Sequence, residues 1–94
     1  MNVGLLTLSF HLHAIHSLKE KRSVVRQLLA VVDRHGTAFA ACESANGDDL
    51  ALLTLRIAHV SNDAQYTDAA LRRLQEKLEA RCGHPATEAR IEVL

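Results

Sequence analysis

Hydrophobic and polar positions alternate from Val3 to Leu12, with Leu6, Leu8, Phe10 and Leu12 on one side and Thr7, Ser9 and His11 on the other. A period of two predicts a strand buried on one face. Ser17-Leu18-Lys19-Glu20 then fits a capping box, in which the serine hydroxyl takes an orphan N–H and the glutamate reaches back. Leu18, Val25, Leu28, Leu29 and Val32 recur behind it at helical spacing. Arg34-His35-Gly36 ends that helix, with the glycine suited to a left-handed turn. Residues 37–43 form a short, alanine-rich second strand, weak on propensity. Ser44-Ala45-Asn46-Gly47-Asp48 is a turn signal, and the nearly continuous apolar run 50–60 predicts a central strand.

Ser61-Asn62-Asp63 offers caps for a second helix. Its inner face is Ala70, Leu71, Leu74, Leu78 and Cys82, and Asp68 and Arg72 form a favourable pair four apart. Gly83 and Pro85 close it. Residues 87–93 alternate again, Ala89, Ile91 and Val93 against Glu88, Arg90 and Glu92, as a last strand at an edge. The order β-α-β-β-α-β predicts an α+β sandwich filling residues 1–94 as one domain. Its sheet is four-stranded and antiparallel, in the order 4-1-3-2, with two helices on one face.

Composition narrows the partners. Eleven basic and eleven acidic side chains cancel, so any nucleic acid or anionic surface must be met by a local patch. Cys42 and Cys82 form no C-x-x-C pair and are read as small buried apolar residues. No basic residue precedes the first apolar stretch, and no run approaches the roughly 20 residues of a membrane span. The expectation is a cytoplasmic protein without a membrane partner.

Two stretches go further. His16-Ser17-Leu18-Lys19-Glu20-Lys21-Arg22-Ser23-Val24-Val25 resembles the signature of the YlxP-like family of small bacterial proteins, and Val60-Ser61-Asn62-Asp63 resembles its second signature. The resemblance covers essentially the whole chain and implies a ferredoxin-like domain. It implies no activity; the family's genes often lie near translation and ribosome-maturation genes, which points to an RNA-related role. The chain departs from the pattern at His13-Ala14-Ile15, where members often carry Pro-Gly. It departs again at Leu50-Ala51-Leu52, where members often have an aromatic residue.

The densest charge cluster is Lys19, Lys21, Arg22 and Arg26, a candidate phosphate-binding face; Lys19, Arg22 and Arg26 share one side of the helix. A merely solvated helix face is the alternative. Arg72, Arg73, Lys77 and Arg81 alternate with acids and read as an ordinary exposed face. His11, His13 and His16 could chelate a metal but lack a carboxylate or thiolate neighbour in sequence, so no metal and no cofactor is expected. The pattern leaves His59 on either side of the sheet.

The sheet face away from the helices would carry Thr7, Ser9, His11, Arg56 or its neighbours, and Arg90 or Glu92. It has no aromatic platform for stacking bases, since Phe10 points to the core and Tyr66 lies on a helix. Leucine and alanine there would favour a homodimer. No nucleophile elbow, P-loop, zincin motif or dinucleotide fingerprint is present, so an enzyme is not expected. The leading expectation is a non-enzymatic module that binds RNA or a ribosomal particle through the basic helix face. The alternative is a homo-oligomeric interaction or regulatory domain using the open sheet.

Overall fold

The computed structural model describes residues 1–44 and 47–94. Six elements follow in order: β1 (Asn2–His11), α1 (Leu18–His35), β2 (Phe39–Glu43), β3 (Leu52–Ser61), α2 (Ala64–Cys82) and β4 (Glu88–Val93). The sheet is antiparallel throughout, in the order β2-β3-β1-β4, which is the predicted order read from the other edge. The turn expected around Ser44 includes Ala45 and Asn46, which lie outside the described residues.

Alternation places the core. Leu6, Leu8 and Phe10 of β1 face the same way as Leu53, Leu55 and Ile57 of β3, and all six are fully buried. Against them pack Val25, Leu28 and Val32 from α1 and Leu71, Leu74 and Leu78 from α2. Each such side chain contributes about 1.5–3 kcal/mol by leaving water. Gly4 lies on this face beneath α2. A Cβ there would clash with Thr67 Cγ2 and sit 2.9 Å from Leu71 Cδ1, so glycine is what lets the helix approach.

The helix ends follow local chemistry with two departures. Ser17, in an extended conformation, accepts the Glu20 N–H at 3.1 Å, which is the serine half of the predicted capping box. Asp63 receives the N–H groups of Gln65 and Tyr66 and opens α2. Gly83 takes the left-handed conformation, with φ 93°, and its N–H bonds the Glu79 carbonyl. Gly36, however, is extended (φ 165°, ψ 165°) and makes no left-handed turn. A turn at Thr37 and Ala38 then leads into β2. Leu18, expected on the inner face of α1, is exposed. Cys42 is also exposed, because β2 is an outer strand and this residue faces away from the helices. Ala14 has φ 59°, in the left-handed region that favours glycine.

Candidate functional site

The basic cluster separates into two groups once α1 is formed. Lys21, Val25, Leu28 and Val32 fall at spacings of four, three and four, and this is the buried stripe of the helix. Lys21 is therefore 1% exposed and does not belong to an external cationic face. Its ammonium donates to the Asp49 carbonyl at 2.6 Å and the Gly47 carbonyl at 3.4 Å, and lies 3.4 Å from Glu43 Oε2. A buried charge needs such compensation. This side chain ties α1 to the end of β2 and to the segment before β3.

Lys19, Arg22 and Arg26 are exposed. At 100° per residue they cluster about 120° round the helix from the core stripe. The described residues hold ion pairs for Lys21, Arg72 and Arg90, and none for these three. The stripe is thus a solvent-facing row of cations with no ion pair to an acid among the described residues. The second basic set is exposed too. Arg72 bonds Asp68 at 2.8 Å, and Arg81 reaches Gln27 of α1 at 3.2 Å.

Histidines gather elsewhere than the spacing suggested. The His11 and His13 rings lie 5.0 Å apart, but the third ring beside them is His84, 5.4 Å from His13, and not His16. Cys82 Sγ lies 3.7 Å from His84 Nε2, and burial pushes the thiol up from its ordinary value, which disfavours a thiolate. Among the described residues no group of three His, Cys, Asp or Glu side chains is arranged to hold a metal ion.

His59 faces the helices and is 2% exposed. Its Nδ1 is 3.1 Å from Thr67 Oγ1, which is 2.5 Å from Ser61 Oγ, whose proton goes to the Asp63 carbonyl at 2.8 Å. One direction of donation satisfies the chain: Ser61 gives to Asp63, Thr67 to Ser61, and an Nδ1–H of His59 to Thr67. The stretch Val60–Asp63 thus fastens the junction of β3 and α2. Burial lowers the His59 pKa. His35, linked to it through Phe39, is lowered by burial and then by Lys77, Arg73 and His59.

The open sheet face mixes apolar, neutral polar and charged side chains. Register places Val3, Leu5, Thr7, Ser9 and His11 of β1 there, beside Thr54, Arg56, Ala58 and Val60 of β3. Ala40 and Cys42 come from β2, and Glu88, Arg90 and Glu92 from β4. Leu5, Ala40, Ala41, Cys42, Arg56 and Ala58 line a shallow hollow of about 370 Å³. Ser9 and Thr54 share a buried hydrogen bond of 2.9 Å. The Thr7 hydroxyl oxygen is buried with no hydrogen-bond partner. No Phe or Tyr ring lies on this face among the described residues, so a base-stacking platform is not formed.

The β-α-β-β-α-β order, antiparallel sheet and one-sided helices define a ferredoxin-like α+β domain. Residues 3–91 match the family described as "Protein of unknown function (DUF503)", and the chain belongs to that family. No curated protein matches it. Among solved structures it is similar to a de novo designed protein, LFR1 1, with ferredoxin fold (13% identity, 100% of this chain and 83% of that one, TM-score 0.55). It is also similar to At3g17210 from Arabidopsis thaliana (7% identity, 98% and 92%, TM-score 0.51). A third likeness is to SnoaB, a cofactor-independent oxygenase from Streptomyces nogalater (16% identity, 99% and 90%, TM-score 0.50). At these identities the likenesses establish the fold alone. No helix among the described residues is long and apolar enough to cross a membrane.

Proposed function

We propose that the chain is a non-enzymatic binding module that engages RNA, free or in a ribosomal particle, through Lys19, Arg22 and Arg26. The observation that carries this reading is the exposed cationic row on α1 with no ion-pair partner among the described residues. Three cations within two turns match the spacing of backbone phosphates without reading sequence. The resemblance of residues 16–25 to the YlxP-like signature, whose genes often lie near translation genes, supports the choice of RNA. Lys21 is left out of the contact set because it is committed inside the fold.

The test is filter binding of a structured RNA at two salt concentrations. Three phosphate contacts give a slope of log K against log salt of about −2.1 to −2.7, or roughly a 20- to 40-fold loss over a fourfold rise in salt. Lys19→Glu, Arg22→Glu and Arg26→Glu together should abolish binding while the thermal melt stays in place. Salt-independent binding, or binding untouched by the triple substitution, would sink the reading.

A second reading, a domain that self-associates through its open sheet, is supported by a different observation. Val3, Leu5, Ala40, Ala58 and Val60 put a contiguous apolar patch on a face that no helix covers. Sedimentation velocity tests it, and a monomer at all concentrations would remove it.

A further inference from the structure

We infer that His13, His84 and Cys82 form a site for a single Zn(II) ion, where the end of β1 meets the turn between α2 and β4. It uses none of the residues of the RNA reading and goes beyond it.

The sequence offers His11, His13 and His16 without a soft or acidic neighbour. The fold exchanges His16 for His84 and brings a thiol beside it. Cys82 ends α2, and the left-handed Gly83 turns the chain so that His84 Nε2 lies 3.7 Å from Cys82 Sγ. Zn–S and Zn–N bonds of about 2.3 Å and 2.0–2.1 Å at a tetrahedral angle separate their two donor atoms by about 3.6 Å. The pair therefore already has the bite of the ion, which would take the place of the proton that thiol and imidazole share.

Ring spacing extends the match. The His13 and His84 ring centres lie 5.4 Å apart, and those of His11 and His13 lie 5.0 Å apart. Two imidazoles bound through nitrogen to one tetrahedral ion stand about 5 Å apart, centre to centre. Only the aim of the nitrogens is lacking, since among the described residues no three donors converge on one point. His11 and His13 are exposed, and their rings turn at the surface. Cys82 packs against the core and gives the site its fixed end.

The surroundings favour a cation of this kind. Glu79 and His84 line one hollow of about 320 Å³, and a Glu79 oxygen is held by the Ala86 N–H at 2.8 Å. The carboxylate that the sequence lacked near its histidines thus stands on the wall of the hollow. A mixed imidazole and thiolate set suits Zn(II), whereas Mg(II) and Ca(II) take oxygen. Binding releases the Cys82 proton to solvent, because a coordinating thiol is held as the thiolate. Burial raises the pKa of the free thiol, so it weakens the site without abolishing it. His11 or a water completes the tetrahedron.

The experiment is titration of the full chain, untagged and with its thiols reduced, by Zn(II) in a calorimeter and by Co(II) in a spectrophotometer. Co(II) bound to sulfur gains a thiolate charge-transfer band, which a site of histidines alone lacks. One ion per chain with a Kd below about 100 μM is expected, together with that band. His13→Ala, His84→Ala and Cys82→Ser should each weaken binding at least about tenfold, and Cys82→Ser should remove the band. His16→Ala and Cys42→Ser should change neither. Zn(II) should raise the Tm of the wild type and leave that of His13→Ala in place. Circular dichroism melts without metal establish which variants are folded, and exposed His13 keeps the test decisive if Cys82→Ser is not. Binding weaker than about 100 μM overturns the inference. Binding without the thiolate band, binding indifferent to His84→Ala, or binding abolished by His16→Ala also overturns it, since each is capture by surface histidines.

Discussion

The Lys21 ammonium sits 2.6 Å from the carbonyl oxygen of Asp49, across 28 residues of chain. It is a cation in the apolar stripe of a helix, held by loop carbonyls and by Glu43. Lys21→Ala should lower the unfolding free energy by about 3 kcal/mol, since the carbonyls and the carboxylate lose a common donor. Lys21→Met keeps the aliphatic stem and should cost less. Urea denaturation measures both, and a loss under about 1 kcal/mol for the alanine variant would contradict the assignment. Neither variant should alter RNA affinity as long as the protein is folded.

Acid should weaken the fold through His59 and His35. Both have folded-state pKa values below the ordinary histidine value, chiefly from burial. The unfolded chain therefore takes up protons first as pH falls below about 6.5, and stability declines from there toward the lowered folded values. The groups around the pair are Thr67 and Tyr66 of α2 and the Phe39 ring of β2, with Arg73 and Lys77 of α2 adding repulsion at His35. Melts between pH 8 and pH 5 should show a falling Tm, as a range set by the histidine pKa. His59→Asn, which retains a donor near the Nδ1 position, should flatten that fall. A pH-independent wild-type melt would refute the argument.

Gly4→Ala should destabilise by about 1–3 kcal/mol. The added methyl meets Thr67 and Leu71 of α2, and β1, an inner strand paired on both sides, has little room to retreat. Thermal denaturation reads the loss. If Thr67→Ser, which removes the clashing methyl, does not recover part of it, the close approach is not the cause.

Ala14→Gly should stabilise by about 0.5–1 kcal/mol. At φ 59° the Cβ is strained, and relief exceeds the entropy that glycine adds to the unfolded chain. A lower Tm for this variant would show that the loop is held otherwise.

Much of the fold was legible because each layer has its own period. The alternation of Leu6, Leu8 and Phe10 set the buried face of β1, and the Ser17 and Asp63 caps set the starts of both helices. Lys21 was misplaced because its charge was weighed above its spacing. The same arithmetic that selects Val25, Leu28 and Val32 also selects position 21, and that was the available signal. Cys42 and Gly36 depend on which strand lies outermost and how far the next element is, and neither is a local property of the chain. The His13–His84 contact joins residues 71 positions apart, so spacing alone could not show it. Residues 16–25 and 60–63 prove largely architectural: Ser17 caps, Lys21 clamps, and Ser61 and Asp63 close the β3–α2 junction. What is left over in the first of them for a partner is Lys19 and Arg22, with Arg26 one turn on.

The outer strands β2 and β4 run for only five and six residues, against ten for each inner strand. A stray peptide or a neighbouring molecule arriving sideways would thus meet a brief run of open amides on either flank, too short to template endless lateral growth. This geometry guards the sheet against fibre-like ladders built strand on strand.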